Sequence, residues 1–326
     1  MKGIQPEYVI GVDLGGTKIA TVICDFKCNI IAQVKVDTRA KEGVSKVVQR
    51  IKDTVYKVIE MAGVTVDNLA GICISSPGPL NTKKGVVLSV ATLGWENIPI
   101  SKIISDEFNV PVYLENDANV AAYGEKCFGA GIGCKDLIYI TVSTGVGSGI
   151  IINNKIYHGK HDSSGEFGHI CIERGGKKCS CGNNGCLQAY ASGTAIADIA
   201  KEEVRRNRDS KILNYSNNCI EHISCLSVEK AAIEKDNTAL KIWTMAGINL
   251  GHGISILMQM FDPEMVIIGG GVSNAWDLFY PDMMDTIRLH TYKLIFEDCA
   301  VVRAKLGANA GALGAAMIAV DNLHAR

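Results

Sequence analysis

One pattern occurs twice in this chain: an apolar strand, a glycine-rich turn and a second apolar strand. It opens the sequence at Val9–Ile23 around Gly15-Gly16-Thr17, and it returns at Leu137–Asn153 around Gly145, Gly147 and Gly149. Apolar runs punctuated by glycine clusters read as strands and turns. The echo at the head of each half predicts a duplicated α/β architecture of two domains with a cleft between them. Coincidence between two common hairpins is the other reading of the same pattern.

Between these hairpins the chain alternates. Ile30–Val36 reads as a third strand, and Val44, Val47, Val48, Ile51, Val55, Val58 and Ile59 recur at the three- and four-residue spacing of a helix. Leu69–Ser75 reads as a strand ending in Ser76-Pro77-Gly78-Pro79, where the prolines forbid helix. Val110–Leu114 follows as a strand and Asn119–Phe128 as a helix. Further helices are expected at Thr194–Arg206, Thr238–Met260 and Ala275–Leu289, with a strand at Met265–Ile268.

Composition narrows the function classes. With 33 basic and 34 acidic residues in 326, there is no electrostatic footprint for nucleic acid. No apolar run reaches the length of a membrane span, and Met1–Glu7 lacks the apolar core of a signal peptide. The expectation is a cytoplasmic protein with reduced thiols, so that a local cluster among the 12 cysteines binds metal or does chemistry.

Three glycine-rich turns follow strands. Asp13-Leu14-Gly15-Gly16-Thr17-Lys18 joins strand to strand, unlike a phosphate loop that opens a helix. Gly15 and Gly16 let backbone N–H groups approach an anion, Thr17 and Lys18 add a hydroxyl and a cation, and Asp13 can hold Mg²⁺ through water. An ordinary glycine hairpin explains the segment equally well. Thr144, Gly145 and Gly147 form a second turn whose spacing is not that of a dinucleotide site. The third, Gly269-Gly270-Gly271, can pass close to an adenine or ribose. Together they fit ATP lying across a cleft.

Leu114-Glu115-Asn116-Asp117-Ala118-Asn119 sets polar groups between a strand and a helix. Asn116 or Asp117 can cap that helix. Alternatively, Asp117 is a general base that orients a hydroxyl for attack on phosphorus. Downstream, Cys179, Cys181 and Cys186 lie within eight residues and match a Cys₃His zinc centre, with His169 as the fourth ligand and Cys171 as its rival. Four protein ligands make such a site structural. Glu166, in Gly165-Glu166-Phe167-Gly168-His169, is either a solvated loop acid or an acceptor for sugar hydroxyls.

The set Asp13–Lys18, Ser76–Pro79, Leu114–Asn119, Ser143–Gly149, Gly165–His169 and Cys179–Cys186 resembles the ROK family of sugar kinases and sugar-responsive repressors, over nearly the whole chain. The resemblance implies a two-domain actin-like, hexokinase-like α/β fold: residues 1–120, rejoined by a C-terminal helix at 308–326, and residues 121–307 with the zinc loop. It implies ATP phosphates near Gly15–Thr17 and Thr144–Gly147, and the nucleoside near Gly270 and Gly271. Sugar contacts are implied from Asn116, Asp117, Glu166, His169 and position 188, beside Gly78, with zinc on His169, Cys179, Cys181 and Cys186. A homodimer is expected on the same ground.

Two positions depart from the glucokinase-like pattern. Ala91 stands where members often carry an Asn, and Gln188 where most carry Glu. The expected reaction is phosphorylation of a glucose-like hexose at O6, with fructose, mannose, allose or N-acetylmannosamine as alternatives. The rival of another class is a sugar-sensing regulator. With seven residues ahead of Tyr8, no helix-turn-helix domain is expected.

Overall fold

The computed structural model describes residues 6–324. Its first sheet has the order β3-β2-β1-β4-β8, built from Tyr8–Leu14 (β1), Lys18–Asp25 (β2), Ile30–Asp37 (β3), Leu69–Ser76 (β4) and Val112–Asn116 (β8). β1, β2 and β3 form an antiparallel meander, while β4 runs parallel to β1 and β8 parallel to β4. A small antiparallel sheet of Leu80–Asn81 (β5), Val86–Val90 (β6) and Trp95–Ile98 (β7) lies between β4 and β8 in the chain.

β1 is buried on both faces, and its alternation decides what covers each. Ile10, Val12 and Leu14 join one apolar cluster with Val47, Ile51, Val55 and Val58 of the helix Val44–Ala62 (α1). That helix follows the expected periodicity and stops at Gly63, whose φ of 68° lets its N–H return to Glu60 and Ile59. The opposite face carries Val9, which packs with Ala312, Ala315 and Ala316 of the last helix, Ala310–His324 (α10). On that face a Cβ at Gly11 would stand 2.1 Å from the Ala312 carbonyl oxygen, so only glycine lets α10 approach. The helices Ile100–Phe108 (α2) and Asp117–Phe128 (α3) flank β8 in sequence.

The second five-stranded sheet has the order β11-β10-β9-β12-β13, from Leu137–Val142 (β9), Val146–Ile152 (β10), Lys155–Ile156 (β11), Met265–Gly269 (β12) and Ala300–Arg303 (β13). β12 is parallel to both β9 and β13. The helical part comprises Gln188–Ala191 (α4), Gly193–Arg206 (α5), Cys225–Ile233 (α6), Asn237–Phe261 (α7), Trp276–His290 (α8) and Lys293–Asp298 (α9).

The chain divides into two compact α/β units. The first gathers residues 6–133, 149–164 and 305–324 of those described, and the second residues 134–148 and 165–304. A boundary at residue 120 falls inside α3 and is corrected to the loop after that helix. The return of the chain to the first unit is held by Glu125, fully buried on α3, which accepts the N–H groups of Leu306 at 2.7 Å, Ala130 at 2.8 Å and Lys305 at 3.2 Å. A buried carboxylate is tolerable only with such partners. No helix among the described residues is long and apolar enough to cross a membrane.

Candidate functional site

In the first unit the expected site residues gather at the carboxyl ends of parallel strands, where open α/β sheets bind ligands. In register, Asp13 on β1 faces Ser75 on β4, and Ser76 faces Asn116 on β8. With about 4.8 Å between neighbouring strands, Asp13 and Asn116 are set roughly 10 Å apart. Asp13 is half-buried and accepts a hydrogen bond from Ser75 Oγ at 3.1 Å. Burial raises its pKa, with the Ser75 bond and Lys35 pulling the other way. Beyond it the Gly15–Lys18 turn is tight, Gly15 N–H donating to Lys18 O at 2.9 Å, and Thr17 and Lys18 are exposed. Gly16 approaches Thr92 so closely that a Cβ would lie 3.3 Å from its side chain.

The cap of α3 is Asn116, not Asp117. Asn116 Oδ1 accepts from Ala118 N–H at 2.9 Å and from Asn119 N–H at 3.3 Å. That leaves Asp117 as the first helical residue, exposed, with Oδ1 accepting from Ala118 N–H at 2.8 Å. Gly78 lies against this pair, since a Cβ there would be 3.5 Å from Asn116 Nδ2. Gly78, Asn116 and Asp117 are thus one cluster.

Sequence reasoning missed what holds that cluster in place. Glu115, 4% exposed, accepts from Asn116 N–H at 2.8 Å and Asn119 Nδ2 at 2.9 Å through one oxygen. The other oxygen meets His158 Nε2 at 2.6 Å. This bond raises the His158 pKa against the effect of burial, with Asp162 adding and Lys83 opposing. A histidine 43 residues away carries no local signal, although a carboxylate inside an apolar strand asks for a partner.

In the second unit the ligating atoms of His169, Cys179, Cys181 and Cys186 lie within 4.8 Å of one another, with Cys171 outside the group. Cys179 Sγ is 3.7 Å from His169 Nδ1, and Cys181 Sγ is 3.7 Å from Cys186 Sγ. A disulfide needs about 2.05 Å. A tetrahedral zinc with bonds of about 2.3 Å spaces its sulfurs about 3.8 Å apart, so the four groups fit that ion. Burial pushes the Cys179 thiol up, yet donation from Cys181, His169 and Cys186 outweighs it and brings it down to about 6, towards the thiolate a metal requires. Burial carries Cys186 the other way, up to about 12. The remaining nitrogen of His169, Nε2, faces Glu166 at 3.9 Å, and the Glu166 side chain is 61% exposed.

Gln188 opens α4 two residues after Cys186 and sits against the Thr144–Gly147 turn. Its Oε1 accepts from Val146 N–H at 3.4 Å, and its Nε2 donates to Ser180 Oγ at 3.1 Å and Cys179 Sγ at 3.6 Å. The turn itself is short, because β9 ends at Val142 and β10 begins at Val146, which places Gly147 in the strand. Its carbonyls are held by α5: Gly193 N–H donates to Ser143 O at 2.7 Å and Thr194 Oγ1 to Thr144 O at 2.8 Å.

Two cavities flank this turn. One of about 540 Å³ is bordered by Thr144, Lys178, Cys179, Gln188 and Thr194. The other, about 470 Å³, runs from Thr144 and Thr194 to Ile223, Leu226 and Gly271. At its edge Gly270 has φ 85°, and a Cβ there would stand 2.3 Å from Val142 O, so the strand end admits only glycine. A polar rim at a strand end beside an apolar floor suits a nucleotide.

Comparison with known proteins agrees with these motifs. Residues 9–322 match the model of the ROK family. The glucokinase of Halalkalibacterium halodurans is 33% identical over 313 residues, covering 95% of this chain and 94% of that protein. The xylose repressor of Caldicellulosiruptor bescii is 31% identical over 315 residues, 97% of this chain and 78% of the repressor. The ROK family glucokinase of Streptomyces griseus, solved in complex with glucose and AMPPNP, superposes with a TM-score of 0.82 at 33% identity, covering 95% of this chain and 98% of that one. The chain with its paired strand-end turns and Cys₃His cluster therefore belongs to the ROK family.

Proposed function

We propose that the protein transfers the γ-phosphoryl group of ATP to a hydroxyl of a hexose, O6 of a glucose-like sugar. The observation that carries this reading is Asp117, an exposed carboxylate at the first position of α3, directly after the strand-end cap Asn116. Phosphoryl transfer asks little covalent chemistry of the protein; it asks for positioning and charge neutralisation. Asp117 accepts the hydroxyl proton as the oxygen attacks. Asn116, Gly78, Glu166 and the Nε2 side of His169 bind the sugar. Gly15, Gly16, Thr17 and Lys18, with Thr144, Gly145 and Gly147, hold the phosphates, and Gly270 and Gly271 border the nucleoside. Mg²⁺ would neutralise charge on the phosphates, and Asp13 is the carboxylate that would hold it through water. His169, Cys179, Cys181 and Cys186 would hold zinc with four protein ligands, and such an ion would brace the loop rather than activate a nucleophile.

The regulator reading rests on the repressor relatives, which match over 97% of this chain. ADP release measured across a panel of hexoses and hexosamines separates the two. Sugar-dependent ADP release is expected; sugar binding with no ADP release from any sugar overturns the kinase reading.

A further inference from the structure

Gln188 is positioned differently from a residue that serves a sugar alone. Val146 N–H can only donate, so the amide must turn Oε1 towards it, at 3.4 Å. That orientation leaves Nε2 for the metal loop, where it reaches Ser180 Oγ at 3.1 Å and Cys179 Sγ at 3.6 Å. Both ends of one side chain are thereby committed. One touches the turn between β9 and β10, and the other touches a ligand of the Cys₃His cluster. The fit is close, since a Cβ on Gly145 would lie 3.0 Å from Gln188 Oε1.

The chemistry explains why this position carries an amide here. A metal-bound cysteine is a thiolate, and N–H donation to its sulfur is the kind of outer contact that tunes a metal site. An amide supplies that donor and an acceptor for Val146 at once. A carboxylate is acceptor-only and sets negative charge against the thiolate. Glutamate at 188 can therefore keep the Val146 bond or face a sugar, but cannot donate to Cys179.

Resting on the reading of the cluster as a zinc centre and of Thr144–Gly147 as a phosphate turn, we propose that Gln188 is a positioning residue. It ties the zinc loop to the nucleotide turn, so that the state of the metal centre is felt in nucleotide affinity. The 540 Å³ cavity has both partners on its wall, Thr144 of the turn and Cys179 of the loop, with Gln188 between them.

The test compares wild type with the isosteric Gln188→Glu, and with Gln188→Ala in case the added charge prevents folding. Zinc affinity is measured by competition with a chromophoric chelator, and AMPPNP and glucose affinities by calorimetry on zinc-loaded protein. Both variants are expected to bind zinc about 10–100-fold more weakly and AMPPNP about tenfold more weakly, with glucose affinity changing least. Variants that hold zinc and AMPPNP as wild type does, while glucose affinity alone moves, overturn the proposal and make Gln188 a sugar contact. Wild type that takes up no zinc overturns the metal reading itself, a failure that metal content by mass spectrometry distinguishes.

Discussion

Asn116 and Asp117 show how far adjacent residues can differ in role. Either can cap a helix by its chemistry, and only the geometry assigns the cap to Asn116. Asp117→Asn therefore leaves the cap intact and is expected to lower kcat by roughly 10²–10⁴, the usual worth of a general base, with sugar affinity retained. Steady-state kinetics beside sugar titration checks this; near-normal turnover sends the proton elsewhere. Glu115 and His158 supply a second prediction. Their bond raises the His158 pKa above its ordinary 6.5. Stability from the charged pair is then complete below 6.5 and fades as pH rises through the raised value. Thermal melts of wild type and His158→Gln should differ at acid pH and converge at alkaline pH. A gap that does not change with pH removes the charged pair as its cause. The motif residues were legible because each stands in a short, chemically distinctive run. Glu115 with His158 and Glu125 with Leu306 were not, because each pairs across the fold.

At the scale of elements, long periodic stretches were readable and short ones were not. α1 and α7 announce themselves by repeated apolar spacing, and both occur as expected within a few residues. β5, β6 and β7, the short helices α2, α6 and α9, and the edge strand β13 carry too few residues for a period to emerge. Helix packing was also illegible. α3 and α10 cross where Gly124 meets Ala310 and Gly314, and a Cβ on Gly314 would stand 2.0 Å from Val120 O. Propensity alone says that alanine improves a helix by about 1 kcal/mol over glycine. Here the backbone contact decides the sign: Gly314→Ala is expected to destabilise by roughly 2–3 kcal/mol through forced separation of the helices. Chemical denaturation measures it, and a stabilised variant refutes the crossing as described.

For the whole molecule, relationship alone does not separate a kinase from a regulator. A glucokinase and a xylose repressor match almost the same span at 33% and 31% identity. The Cys₃His cluster bears on what the two kinds of relative can share, because it lies between segments proposed above to serve the sugar. His169 follows Glu166 by three residues and Cys186 precedes Gln188 by two, so one ion held by the cluster would fasten the segments on either side. Because the four ligands are brought together by folding, free energy of metal binding at this cluster would be folding free energy for the loop. Cys181→Ser removes an exposed ligand without opening a cavity in the core, which isolates the metal effect from packing. The variant is expected to retain less than one zinc per chain, melt at lower temperature and show a sugar KM raised about tenfold. Metal analysis, thermal melting and kinetics on the same preparation check all three. If the variant loses zinc but keeps wild-type KM and melting temperature, the ion is not what shapes the sugar loop.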